Sequence, residues 1–180
     1  MYSETYKIAE HNIRICSLYD EVHTLCKDYQ HNEYTDFTVE IKQQDIDFER
    51  RKSFDENIVH RYSDSYLETL AVYRKICEKL IDGSAVAVDG TAYLFTAGSG
   101  VGKSTHTRLW KEYFGKRAIM VNDDKPLLKV GSGSITIFGT PWNGKHKLGS
   151  NIAVPLKSIC VIMRSEQNHI EQITVSHAYT

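Results

Sequence analysis

A chain of 180 residues with 41% apolar and 25% charged side chains holds enough material for one packed domain, or one and a fraction. Its formal net charge of −1 gives no general electrostatic drive toward nucleic acid or an anionic membrane. No apolar leader core stands in Met1 to Asp20 and no apolar run approaches bilayer length, so no membrane partner is expected.

In chain order, Tyr6 to Ala9 and Ile13 to Ile15 read as short strands, and Phe37 to Ile41 alternates as a half-buried strand does. The charged stretch Asp45 to Lys52 reads as a solvated loop or a turn of helix. Ser63 or Asp64 caps a helix running to about Leu80, with Leu67, Leu70, Ala71, Ile76 and Leu80 as its core stripe. Residues 1–80 thus form an N-terminal, polar and irregular α+β region. Residues 81–180 are more orderly. Ser84 to Val88, the turn dipeptide Asp89-Gly90 and Ala92 to Thr96 make a hairpin. Thr105 to Phe114 is a helix stopped by Gly115, with Val101, Thr105, Leu109 and Trp110 assigned to one side. Ala118 to Val121 is a buried strand, and Leu127 to Val130 with Ile135 to Phe138 a second hairpin around Gly131 to Ser134. Ile159 to Met163 is a last strand. Many strands and one clear helix predict a mixed, hairpin-rich α/β sheet rather than a doubly wound one. Cys16, Cys26, Cys77 and Cys160 are scattered with no C-x-x-C pair, which reads as reduced thiols in a cytoplasmic protein and no zinc site.

Residues 97–104, Ala-Gly-Ser-Gly-Val-Gly-Lys-Ser, match the phosphate-loop pattern [AG]-x-x-x-x-G-K-[ST]. The alternative is a chance Gly-rich turn, but strand, glycine loop and helix follow one another as the motif requires. Gly98, Gly100 and Gly102 let the backbone curl so that the N–H groups of 98–105, including those of Ser99, Val101 and Thr105, converge on phosphate oxygens. The helix that follows adds its positive end. Lys103 reaches the β- and γ-phosphates, and the Ser104 hydroxyl ligates Mg²⁺. ATP and Mg²⁺ are the expected ligands.

Asn122-Asp123-Asp124 ends the Ala118 to Val121 strand. It is either an ordinary acidic turn or a functional pair in which one carboxylate holds Mg²⁺ and the other accepts a proton from an attacking hydroxyl. Gly139-Thr140-Pro141-Trp142-Asn143-Gly144-Lys145-His146-Lys147 reads as a loop. Lys145 and Lys147 are candidates for neutralising phosphate, and Trp142 either packs on a ligand ring or caps the core. His106 reads as a structural or surface histidine.

The motifs at 83–90, 97–110, 121–124 and 139–145 together resemble the HPr kinase/phosphorylase group, over about residues 80–165. That group shares a fold and phosphate loop with ATP-dependent phosphoenolpyruvate carboxykinase. The resemblance implies a carboxykinase-like fold, Asp123 as the base in phosphorylation, assisted by Lys103 at the phosphates, and Asp124 beside Ser104 at the metal. Ile81-Asp82-Gly83 stands where the group has a histidine near the start of the strand before its phosphate loop. Thr105 stands where it has a glutamate, and its glycine-rich signature for the phosphocarrier is missing. The nucleotide chemistry therefore carries over and the substrate does not.

The reading is an Mg·ATP-dependent kinase acting on a hydroxyl of an unknown protein serine or small molecule. The alternatives are a carboxykinase-type enzyme on a small carboxylate, or a non-catalytic nucleotide-dependent binding module of a peptide-modification system. With one strong helix after Gly83, the second region is expected to be shortened at its C-terminus or completed by a homo-oligomer partner, leaving apolar surface near Ile159 to Met163 uncovered.

Overall fold

The computed structural model describes residues 1–55, 62–77, 84–98, 100–144 and 147–173. Ser99, Lys145, His146, the expected end of the second helix at Leu80 and the segment 81–83 lie outside the described residues. The chain is mixed α/β, with two mixed sheets and few helices.

The first sheet is built from strands β1 (Tyr2–Ile8), β2 (His11–Ser17) and β3 (Phe37–Glu40). β1 and β2 form an antiparallel hairpin, and β3 adds parallel to β2. Ala9 and Glu10 turn the hairpin at φ values of 50° and 67°, a left-handed conformation that non-glycine residues adopt at a cost. Three helices cover this sheet: α1 (Glu21–Leu25), α2 (Gln43–Asp55) and α3 (Asp64–Cys77). The Ser63 hydroxyl accepts the Tyr66 N–H at 3.2 Å, the cap expected at the start of α3.

Far from irregular, this region has its own core, in which Tyr6, Ile13, Ile15, Ile46, Leu67 and Ile76 are buried. Buried polar groups pin its elements. Glu68 accepts the N–H groups of Leu18 (2.6 Å) and Tyr19 (2.9 Å), fixing the chain after β2 onto α3. His23 lies between Tyr6 Oη, 2.5 Å from Nδ1, and Ser17 Oγ, 2.7 Å from Nε2.

The charged stretch Asp45 to Lys52 is helix, the second of its two readings, and belongs to a longer one. Asp45 and Glu49, one turn apart, point inward. Arg74 Nε donates to Glu49 Oε1 at 2.7 Å, and Lys75 Nζ to Asp45 Oδ2 at 2.8 Å. Burial raises the Asp45 carboxyl's pKa, but the hydrogen bonds from Lys75 and the Lys42 backbone outweigh it and leave a net lowering. A helix with Ile46 as its buried aliphatic side chain is thus held largely by ion pairs to α3.

The second sheet has six strands in the order β6-β4-β5-β9-β8-β7. They are β4 (Ser84–Val88), β5 (Thr91–Thr96), β6 (Ala118–Asn122), β7 (Leu127–Val130), β8 (Ile135–Phe138) and β9 (Ala153–Val161). Asp89 and Gly90 turn the β4–β5 hairpin at φ 50° and 75°. Both β5 and β6 are antiparallel to β4, and β9 is parallel to β5. Hence β5, β6 and β9 all run one way, and their C-terminal ends share one edge of the sheet. β9 starts six residues earlier than the Ile159 to Met163 run suggests, because Ala153 to Pro155 pair with β8. Ile159, Val161 and Met163 are exposed.

One helix, α4 (Lys103–Phe114), packs on this sheet. Its inner side carries His106, Thr107, Trp110 and Phe114, over Phe95, Tyr93 and Val86. Leu109, assigned inward from the sequence, is 50% exposed, and Thr105 is exposed too. The aromatic face won because Phe95 and Tyr93 of β5 offer rings for Trp110 at 5.2 and 4.9 Å between centroids.

The two sheets share a core. Leu127, Phe138 and Trp142 join the N-terminal cluster. The Trp142 indole N–H donates to the Thr69 carbonyl of α3 at 2.9 Å, and its ring lies 5.3 Å from that of Tyr73. Trp142 therefore caps the core and does not face a ligand. Trp142→Ala is expected to cost about 3–5 kcal/mol in urea unfolding, as truncation of a buried aromatic does. A loss under about 1 kcal/mol, well below that range, would contradict the anchoring.

Candidate functional site

β5 delivers the glycine-rich loop that follows Thr96 at the sheet edge. Gly100 and Gly102 hold φ values of 74° and 124°, which a side chain would strain. Val101 N–H donates to the Gly98 carbonyl at 3.3 Å, and His106 N–H to the Gly102 carbonyl at 2.9 Å. α4 starts directly at Lys103, with no side-chain cap and no acidic residue in its first turn. Its leading N–H groups therefore have no carboxylate competing for them, which suits an anion. Lys103 Nζ donates to the Ala97 carbonyl at 2.8 Å and reaches the Gly98 carbonyl at 3.5 Å, so the lysine is folded over the loop.

β6 delivers the acidic turn at the same edge. Asn122 is fully buried. Its Oδ1 accepts the N–H groups of Asp124 (2.8 Å) and Lys125 (2.5 Å), an Asx turn. Its Nδ2 donates to the Thr140 carbonyl (3.2 Å), Thr140 Oγ1 (3.1 Å) and the Trp142 carbonyl (3.3 Å). The Thr140 hydroxyl donates to the Lys125 carbonyl at 2.6 Å. The turn and the 139–144 loop are thus one clamped unit. Asp123 projects from it, 8% exposed, with Oδ1 accepting the Gly144 N–H at 2.7 Å. A Cβ on Gly144 would stand 3.0 Å from Asp123 Oδ2, and one on Gly139 would collide with the Ser150 carbonyl. The loop glycines let the backbone close around the carboxylate.

A cavity of about 500 Å³ brings the two motifs together. Ser104, Thr105 and Thr107 line it from α4, and Asp123 and Met120 from β6, with Leu148 beside them. Arg108, Lys111 and Glu112 line the α4 side farther along, and Arg108 is paired to Glu112 at 2.7 Å. Asp124 does not line this cavity. It is exposed, and its charge acts on Tyr66 of α3, whose hydroxyl is pushed up first by burial and then by Tyr62 and Asp124. The acidic pair is therefore divided: Asp123 faces Ser104 and Asp124 faces outward. Among the described residues no three His, Cys, Asp or Glu side chains gather as a metal site. The Ser104 hydroxyl is still a hard oxygen donor of the kind Mg²⁺ takes, an ion that keeps several waters among its ligands.

The sequence alone did not mark Asn122 as a clamp, Thr140 as its partner, Gly144 as the partner of Asp123, or Arg164 beyond β9, whose guanidinium donates to the Gly100 carbonyl at 2.8 Å. An Asn opening an acidic turn was a legible signal for the first. Arg164 was not legible, because its position follows from the β5–β9 pairing. No membrane-crossing helix is present: among the described residues no helix is long and apolar enough. No protein-family model matches the chain, and no curated protein matches it either.

His106 sits under α4, edge-on to Phe95 at 4.6 Å, and its Nε2 accepts the Trp110 indole N–H at 3.1 Å. That bond requires a lone pair on Nε2, so the neutral ring is the bound form. Burial pushes its pKa below the ordinary histidine value of about 6.5. The unfolded chain then binds the proton more readily than the folded one. This contribution to stability is complete above about pH 6.5 and is lost as pH falls from there toward the lowered folded value. His106→Gln is expected to flatten the urea midpoint against pH in that window relative to the unsubstituted chain. A ring titrating at or above 6.5 by NMR would contradict the assignment.

Proposed function

We propose that this chain is an Mg·ATP-dependent phosphotransferase of the HPr kinase-like, carboxykinase-like kind, passing a phosphoryl group to an acceptor hydroxyl. The observation that carries the reading is one cavity lined by Ser104 and Thr105, directly after the phosphate loop, and by Asp123. Two motifs from separate strands share one space, as phosphoryl transfer requires.

In this reading the loop backbone and the N-terminus of α4 bind the phosphates. Lys103 exchanges its contacts with the Ala97 and Gly98 carbonyls for phosphate oxygens, which as charged acceptors are the stronger partners. Ser104 would hold Mg²⁺, with phosphate oxygens and water as its other ligands, and the ion would supply charge neutralisation, which leaves Asp123 free to act as the base. Asp123, fixed by the Gly144 N–H, accepts the proton of the acceptor hydroxyl as its oxygen bonds to the γ-phosphorus. The bond from that phosphorus to the bridging oxygen breaks, and ADP leaves. Trp142 takes no part in ligand stacking, and Asp124 is not needed in the cavity. Met120 and Leu148 add an apolar side to the same cavity. The exposed apolar face of β9 supports self-association, which sedimentation would measure.

Asp123→Asn keeps the shape of the side chain and an oxygen for the Gly144 N–H. It is expected to leave ATP binding within about a few-fold while cutting phosphotransfer by about 10²–10⁴. The assay follows ³²P from ATP into proteins encoded beside this one and into small hydroxyl compounds. Full transfer by Asp123→Asn would contradict the mechanism. Tight ATP binding with no transfer to any acceptor would favour a nucleotide-dependent binding module.

A further inference from the structure

Arg164 stands just beyond β9. β9 is parallel to β5, with Thr96 paired to Val161, and the Ile162 N–H continues the pairing onto the Thr96 carbonyl at 2.8 Å. Arg164 is therefore three residues past the pair from which the phosphate loop also departs. Its guanidinium crosses to the loop and donates to the Gly100 carbonyl at 2.8 Å. Among the described residues this is its one hydrogen bond, so four of its five N–H groups remain for other acceptors.

A positive side chain aimed at the middle of a phosphate loop has two readings. It is a staple that holds the loop, or a ligand-binding arm resting on the loop. The side chain favours the second. Arg164 is exposed, and one bond from a long exposed side chain to a neutral carbonyl holds a loop weakly. Lys103 makes the same kind of contact, with the carbonyls of Ala97 and Gly98. Two cations, Lys103 from the start of α4 and Arg164 from beyond β9, thus approach the loop, one at its start and one at its middle. A phosphate oxygen is a charged acceptor and outcompetes a carbonyl for either of them. Arginine also presents a planar fork that matches two phosphate oxygens at once.

We propose that Arg164 is a second cationic arm of the nucleotide site and grips the terminal phosphate of a bound triphosphate. This role rests on the nucleotide reading of the loop. The loop N–H groups and Lys103, which also reaches the β-phosphate, hold ATP and ADP alike, while Arg164, arriving from outside the loop, adds a contact to the γ-phosphate alone. The side chain would then set the preference for the substrate nucleotide over the product nucleotide and help release ADP after transfer.

The test is calorimetric titration of Mg·ATP and Mg·ADP into the full chain and into its Arg164→Ala, Arg164→Lys and Lys103→Ala variants. Arg164→Ala is expected to weaken ATP by about tenfold or more and ADP by less than about threefold, as loss of a charge-assisted bond to one phosphate requires. Arg164→Lys should recover part of the ATP affinity. Lys103→Ala should weaken both nucleotides. Equal weakening of ATP and ADP by Arg164→Ala would assign the residue to loop shape and overturn the proposal, as would unchanged affinity for both. If the unsubstituted chain binds neither nucleotide, the nucleotide reading itself falls, an outcome distinct from a failure at Arg164 alone.

Discussion

The buried side chain of Asn122 holds together the parts on which the rest of the structure depends. One amide fixes two backbone N–H groups of its own turn and two carbonyls of a loop about twenty residues away. That loop in turn hangs from α3 through the Trp142 indole. The acidic turn, the 139–144 loop and the N-terminal helices therefore share one hydrogen-bonded unit. In a low-dielectric interior such a network is favourable only when complete, since each orphaned group would cost about 1–3 kcal/mol. The Asn122 amide is satisfied on both its atoms, and the turn it fixes presents Asp123 with its carboxylate held by Gly144 in the cavity that Ser104 also lines.

Sheet direction supplies the other constraint. β4 runs against β5 and β6, and β9 runs with β5, so three strands end along one edge. Each of the three carries a different group to that edge: the glycine-rich loop after β5, Asp123 after β6 and Arg164 after β9. Ligands of open α/β sheets gather outside the carboxyl ends of strands for this reason. Charge is distributed accordingly. The start of α4 carries no acid, while the buried Asp123 carboxylate faces it across the cavity.

Much of the second region was legible because its turns carry unambiguous residues. Asp89-Gly90 and the Gly131 to Ser134 segment mark hairpins, and Gly115 ends α4 at φ 57°. The β1–β2 strands were visible, but their turn was not announced, since Ala9 and Glu10 are poor candidates for positive φ. α2 was legible only as a choice between loop and helix, because its inward positions are Asp45 and Glu49, whose burial depends on Arg74 and Lys75, distant in sequence on α3. Local periodicity cannot register partners that distant. The wrong face was assigned to α4 because Leu109 outranks His106 and Thr107 in hydrophobicity, whereas the actual choice was made by the rings of β5. Asp123 was legible as a candidate and Asp124 equally so. Only the Asx turn separates them, turning one inward and the other out.

In the proposed function the loop at 97–104 and the cavity that Ser104 lines bind Mg·ATP. Calorimetric titration of Mg·ATP into the full chain and into Lys103→Ala tests it most directly, with thermal unfolding of both as a check on folding. The account predicts saturable binding by the unsubstituted chain. It predicts affinity lower by about ten- to a hundredfold in Lys103→Ala, the loss expected for one charge-assisted contact, with little change in unfolding temperature. Equal affinities, or no binding by either, would contradict it.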